Sequence, residues 1–324
     1  MKTEDPLNLA AGLLPKAYLT GPDTAEAAGI DHDLAERFWH AVGMPRLDKD
    51  TVAFSEADVD ALIRLRTMLE AGYPIEDLIT TSRLVGRAMS RISDAHSRSF
   101  RDRLVGPLLA AGPNEAGQAA VLVRHVVDLV APLMEYSYRR HIDAALQNLV
   151  LSESDELSEK LAAGFTDLVA FSKLVDELQE SELSNLIERF EAVVMDVCVE
   201  SGVRLVKIVG DSALFVSSEP VRALQAALAI LERVQADEIL PDARAGLDYG
   251  AVVPRAGDYF GRPVNVASRI TDVARPGTLV ASEEFVEALP EGEVELSRMK
   301  AQRLKNVGRV SLFRLRPFLA TEDS

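Results

Sequence analysis

Residues 203–218, VRLVKIVGDSALFVSS, hold two β-rich runs separated by only Gly210 and Asp211. Two such runs joined by two turn-forming residues predict a tight β-hairpin. The hairpin sits in the middle of an ordered series. LAAGFTDLVAF reads as a short apolar strand, and a long helix is expected over about 173–200. After the hairpin come a helix at 219–236, the strand ARAGLDYGAVV, a loop with Gly257 and Gly261, and a helix from near Pro263. The strand TLVAS and a strand-rich tail ending in VSLFRLRP follow. The order β-α-β-β-α-β is that of a ferredoxin-like sheet with extensions, an α+β domain. No period of 20 to 50 residues is present, which excludes a solenoid.

The first half has a different rhythm. DTAEAAGI and DHDLAERFWHAVGM predict two short helices parted by a turn at Gly29, each with an aspartate cap, the second ended by Pro45. FSEADVDALIRLRTMLEAG offers a Ser55 cap, an apolar stripe and a stop at Gly72. Two longer helical stretches follow, so this half is all-α. The expected organisation is an arm at 1–22, a helical domain at 23–149, a polar, acidic linker at 150–162 and the α+β domain at 163–318. Trp39 and Phe38 are expected in the first core, and Cys198, on a helix with Val194 and Val197, as a buried apolar residue.

Composition narrows the function. The net charge is −16, with −5 in residues 1–150 and −11 in the remainder, so both halves repel nucleic acid. One cysteine excludes an internal disulfide and fits a reducing cytosol. The N-terminus lacks the features of a secretory signal, and no apolar run is expected to span a bilayer, which points to a cytoplasmic location. All five histidines, His32, His40, His96, His125 and His141, lie in the first half. Imidazole is therefore not available as a base in the second.

Three motifs carry polar residues in apolar surroundings. In GFTDLVAFS, Asp167 is either a capping or salt-bridged residue or a metal ligand beside a helix start. In LVKIVGDSALFV, Lys207 and Asp211 suit a solvated strand and a turn; beside Asp167, the second carboxylate could share Mg2+ or Mn2+. In GDYFGRPVNVASRI, Asn265 and Arg269 lie four apart on one helix, with Asp258 in the loop before it. They form either a solvated face or a set that grips a ligand.

Together, FTDLVAFS, KIVGDS, GDYFGRPVNVASR, ARPGTLVAS and LKNVGRVSLFRL resemble the class III nucleotidyl cyclase catalytic domain, in its order and spacing, over about 163–316. The resemblance implies that Asp167 and Asp211 coordinate two metal ions. It implies that Lys207 and Asp258 recognise adenine, Asn265 orients the ribose, Arg269 stabilises the transition state and Lys305 contacts phosphate. Guanylyl cyclases of the family carry glutamate where Lys207 stands, so ATP is the implied substrate. In the family the site is shared across a head-to-tail dimer; with all six residues present, a homodimer with two complete sites is implied. Ala170 and Asn306 depart from the pattern, standing where glycine is common.

The helical half resembles the regulatory domain ahead of pH-responsive, autoinhibited cyclases. The resemblance rests on AEAAGIDHDLAERFWHAVGMP, FSEADVDALIRLRTMLEAG and SRLVGRAMSRISD. It implies regulation through this half, with pH as a candidate signal sensed by a histidine; His141 stands beside Arg139 and Arg140 near the linker. Arg83, Arg87 and Arg91 form a basic stripe, read as a solvated face. The competing readings are a catalytically silent nucleotide sensor and a DNA-binding regulator. The six intact residues weigh against the first and the acidic first half against the second.

Overall fold

The computed structural model describes residues 12–111, 116–151 and 159–317. The chain forms two compact units, Met1–Ser154 and Asp155–Ser324.

The first unit is helical: α1 (Gly21–Ala28), α2 (His32–Ala41), α3 (Glu56–Glu70), α4 (Ile75–Ser99), a π-helical turn (Phe100–Val105), α5 (Gly106–Ala111) and α6 (Ala116–Leu151). Its main core joins Ala25, Ala35, Trp39, Phe54, Leu62 and Leu65, with Phe38 partly buried against it. The cap of α1 differs from expectation. Thr20, not Asp23, is the N-cap; Asp23 completes a capping box from the third helical position. Asp31 caps α2 and Ser55 caps α3. The end of the expected loose arm is tied down, since the Tyr18 and Leu19 amides donate to the Phe54 carbonyl at 2.9 and 3.1 Å. Residues 1–11 of that arm lie outside the described residues.

The π-helical turn was not foreseen. Val105 from it packs with Ala119 and Val123 of α6. An apolar cleft of about 670 Å³, lined in part by Met89, Phe100, Val127 and Met134, lies beside the turn. In α6, residues Gly117–Leu146 are long and apolar enough to cross a membrane, with mean hydropathy 1.3 in the best window. It meets that measure by length and composition only. Arg124, Asp128, Glu135 and Arg139 interrupt its apolar residues at intervals of one or two helical turns.

In the second unit an eight-stranded sheet runs β2-β3-β1-β4-β6-β10-β7, with β5 paired to β4. The strands are β1 (Glu159–Leu168), β2 (Arg204–Val209), β3 (Ser212–Ser217), β4 (Ala243–Arg255), β5 (Asp258–Phe260), β6 (Leu279–Ser282), β7 (Glu295–Arg298) and β10 (Leu312–Arg316). A small hairpin, β8 (Gln302–Leu304) and β9 (Gly308–Val310), stands apart. The parallel β4–β6 pair and the antiparallel remainder give the ferredoxin-like order with extensions. The expected linker is trimmed at both ends, because α6 runs to Leu151 and β1 begins at Glu159. The expected single helix at 173–200 is two: α7 (Phe171–Glu177) and α8 (Glu180–Glu200). Gln179 and Glu182 form a capping box that starts the second helix afresh.

Helices α8 and α9 (Pro220–Ala236) cover one face of the sheet, burying Phe190, Val194, Cys198, Leu224 and Ile230 against Phe215 and Leu247. Burial pushes the Cys198 thiol up to about 12, which keeps it inert. Helix α10 (Arg262–Val273) covers the other face through Val266, Ala267 and Ile270. The short α11 (Glu283–Glu287) follows β6 directly. α10 lies close to the sheet because β4 offers Gly246 beneath it. A Cβ there would fall 2.5 Å from the Ala267 carbonyl oxygen and 2.5 Å from Thr271 Oγ1. We therefore expect Gly246→Ala to destabilise the chain by about 1–3 kcal/mol through overpacking, read as a lowered urea midpoint for loss of the sheet signal.

Candidate active site

The site begins with strand register. β1 lies between β3 and β4, and Asp167 near its end is level with Ser212 of β3 and Arg244 of β4. Ser212 Oγ donates to Asp167 Oδ1 at 2.6 Å. Arg244 Nε and Nη2 donate to Asp167 Oδ2 at 3.1 and 2.7 Å, and its Nη1 donates to the Asp272 carbonyl at 2.9 Å. Asp211 follows Gly210, whose φ of 62° makes the turn possible. The Leu168 amide donates to the Asp211 carbonyl at 3.0 Å, which fastens the hairpin turn to the end of β1.

This brings two carboxyl groups together. Burial raises the Asp211 carboxyl above the usual range, and the negative charge of Asp167 and a shared hydrogen bond raise it further; its own backbone N–H and the Arg244 charge oppose. Two carboxyl groups this close create a negative field that a divalent cation relieves, and hard oxygen donors suit Mg2+ or Mn2+. The pair thus fits a metal, although no group of three or more protein ligands occurs among the described residues. Further oxygens would have to come from substrate or water.

Lys207 reaches the site face through a bulge. Leu205 is level with Phe215 and Lys207 with Leu214, leaving Val206 as an extra residue. Leu205 therefore packs towards the core under α8 and α9, while Lys207 is turned to the α10 side. There its ammonium donates to Asp258 Oδ2. Burial pushes the Asp258 carboxyl up, but the hydrogen bond from Lys207, the Tyr259 amide and the ammonium charge outweigh it, so it stays below the usual range.

On α10, Asn265 is exposed and Arg269 half-buried, between the buried Val266, Ala267 and Ile270. Arg269 Nη1 donates to Asp272 Oδ2 at 2.9 Å. Within one chain the structure thus joins Asp167 with Asp211, and Lys207 with Asp258. Arg244 ties the first pair to α10. No described hydrogen bond or ion pair links the Lys207–Asp258 pair to the carboxylates. Lys305 lies exposed in the β8–β9 turn, away from these contacts. Ala170, just before α7, and Asn306 both have left-handed backbones, φ 59° and 62°. Asparagine tolerates that conformation, whereas alanine bears a strain of about 1 kcal/mol.

Sequence reasoning missed Arg244 and Ser212. Arg244 left a faint signal, as one of two charges, with Asp248, inside a largely apolar strand. We expect Asp167→Asn to lower the titration midpoint of Asp211 without returning it fully to normal, since the burial effect stays; carboxyl NMR reads this directly. A raised folded-state value stabilises the chain below the unfolded value and is lost as pH rises through the folded one. The Asp211 share of the decline in stability with rising pH should therefore shrink and shift to lower pH in that variant.

Both units match known families. Residues 13–143 match the adenylate cyclase regulatory domain, and residues 154–317 match the adenylate and guanylate cyclase catalytic domain. An adenylate cyclase of Streptomyces coelicolor is 34% identical over 297 residues, covering 88% of this chain and 76% of that protein. A pH-sensitive adenylate cyclase of Mycobacterium tuberculosis is 30% identical over 330 residues, covering 97% and 83%. The solved adenylyl cyclase of P. aeruginosa covers 50% of this chain and 96% of its own, at 19% identity and a TM-score of 0.45. The chain belongs to the class III adenylate and guanylate cyclase family, with that family's adenylate cyclase regulatory domain ahead of the catalytic one.

Proposed function

We propose that the chain is an adenylate cyclase that converts ATP to 3′,5′-cyclic AMP and pyrophosphate in a homodimer, under control of its helical unit. The observation that carries the choice of ATP is the Lys207–Asp258 ion pair. Adenine presents an amino donor at N6 and a ring-nitrogen acceptor beside it. An aspartate that accepts and a lysine that donates match that edge. The guanine edge, with a carbonyl acceptor and an N–H donor in those places, calls for a different pair.

Asp167 and Asp211 would hold two divalent ions, whose chemistry when bound is to acidify the ribose 3′-hydroxyl and screen the triphosphate. The chain's own groups do the rest. Lys207 and Asp258 fix the base, and Asn265 orients the ribose. The 3′-oxygen then attacks the α-phosphate in line with the departing pyrophosphate, while Arg269 meets the charge that develops on the α-phosphate oxygens. Arg244, now held on Asp167, is placed to contact phosphate once that carboxylate serves a cation. Lys305, exposed in its turn, is a further candidate for phosphate.

Two copies are needed in this reading because Lys207 and Asp211, four residues apart across one turn, would serve different sites. One chain supplies the carboxylates, and its partner supplies Lys207, Asp258, Asn265 and Arg269. The purified chain should make cyclic AMP with Mn2+, and Asp211→Ala and Arg269→Ala should each be inactive. Equal mixtures of the two inactive variants should regain about a quarter of the normal rate, since half the dimers would carry one intact site of two. A mixture as dead as its parts would overturn the shared site.

Control by the helical unit is supported by its match to a regulatory domain. Its histidines remain the candidate proton sensors within that unit. Removing residues 1–149 should raise basal activity and change its pH profile. Equal rates and superimposed profiles for the two chains would remove the helical unit from the account.

A further inference from the structure

Asp248 is the one fully buried carboxylate among the described residues, at 0% exposure. It takes no part in the chemistry above. It lies on β4 on the same face as Arg244 and Gly246, under the helix that carries Asn265 and Arg269. The first turn of that helix rests on the same strand, where a Cβ on Gly250 would meet Pro263 at 3.0 Å.

One oxygen of Asp248 is satisfied and the other is not. Oδ1 accepts from the Ser282 hydroxyl. Ser282 is also the cap of α11, its Oγ accepting from the Phe285 amide at 3.1 Å. Oδ2 is buried without any hydrogen-bond partner. From α11, Glu284 reaches across to Arg262, the first residue of α10, at 3.1 Å. The buried carboxyl thus braces the α11 cap, and the same short helix reaches the start of α10 through Glu284 and Arg262.

The charges around it are few. Arg262 faces it from α10 and Glu284 from α11. On β1 its register partner is Ala163, and the nearest charged residues, Lys160 and Asp167, stand three and four positions away. β6 offers none, and Arg314 of β10 pairs one strand further out, with Val280. Burial pushes the Asp248 carboxyl up to about 6, with the Ser282 and Tyr249 hydrogen bonds and Arg262 opposing and Glu284 adding to the rise. A neutral acid can leave one oxygen bare at modest cost. An ionised one in this position must recruit a cation, and the one whose charge acts on it is Arg262, already held by Glu284.

We propose that Asp248 is a proton-dependent positioning residue for the cyclase reaction. Neutral, it leaves the Arg262–Glu284 pair closed and the first turn of α10 fixed, which holds Asn265 and Arg269 in place. Ionised, it competes for Arg262 and slackens that turn. The inference rests on the cyclase reading and places a proton switch inside the catalytic unit, apart from any histidine.

The test uses the full chain, Asp248→Asn and Arg262→Gln, each assayed for kcat and KM with Mn2+ and ATP from pH 5 to 8. The ratio of the parent kcat to that of Asp248→Asn should fall about fivefold or more across this range with its midpoint near the titration of Asp248. KM should move less, because Arg269 acts in the transition state. Arg262→Gln should have a low kcat whose ratio to that of Asp248→Asn does not change with pH, because its clasp is open in either protonation state. Thermal unfolding gives the independent check. A raised folded-state value stabilises at low pH and is lost as pH rises through it, so the parent Tm should fall relative to Asp248→Asn over the same window. A constant kcat ratio overturns the proposal, even if the Tm curves diverge, because Asp248 would then be structural only. No cyclic AMP from any chain would instead sink the cyclase reading. The positioning role is then decided by affinity for a fluorescent ATP analogue with Mn2+: a parent-to-variant ratio with the same pH midpoint sustains it, and a flat ratio ends it.

Discussion

The placement of β1 between β3 and β4 is the constraint from which the site follows. A single register sets Asp167 level with Ser212 on one side and Arg244 on the other. It also puts the β2–β3 turn against the end of β1, where the Leu168 amide fastens the Asp211 carbonyl and so brings Asp211 to Asp167. A slip of one residue would send Asp167 to the opposite face, under α8 and α9, and leave a carboxylate in the main core. The apolar alternation of β1 forbids that slip, because Ala162 belongs to that core while Leu161 and Ala163 belong to the layer beneath α10. The packing that makes the fold stable therefore also positions the carboxyl groups.

Much of this was legible in the sequence, and for identifiable reasons. The Gly210-Asp211 turn, the Ser55 cap and the period of α10 are local signals, and each survived folding. What was hidden depends on partners distant in sequence or on small local breaks. The bulge at Val206 shows only once β3 is beside β2. The break at Leu178–Gln179 is set by a capping box with few apolar markers. The π-helical turn at Phe100–Val105 has no compositional sign, as it inserts into an unbroken helical pattern. Arg244 acquires meaning only from Asp167, 77 residues earlier in the chain.

The buried surface of the second unit shows how sparingly it uses polar groups. Thr166, Ser217, Asp248, Thr271 and Ser282 are its buried polar residues among the described ones. Thr271 Oγ1 donates to the Ala267 carbonyl within its own helix. Ser282 serves a helix start, and Asp248 depends on Ser282. Three of the five thus lie at contacts of α10 and α11 with the sheet. The helix that presents Asn265 and Arg269 is seated on apolar side chains and close backbone, with those few polar contacts setting its pitch.

The Lys207–Asp258 contact has a consequence for selectivity. With no base present, each charge is already matched by the other, so neither waits bare in the cleft. In the proposed reading, an incoming purine would trade places within this match. Only a base whose edge returns both a donor and an acceptor makes the exchange even. A base with the opposite pattern would strand an ammonium and a carboxylate together, and discrimination would come from that unreturned loss more than from any fit of shape.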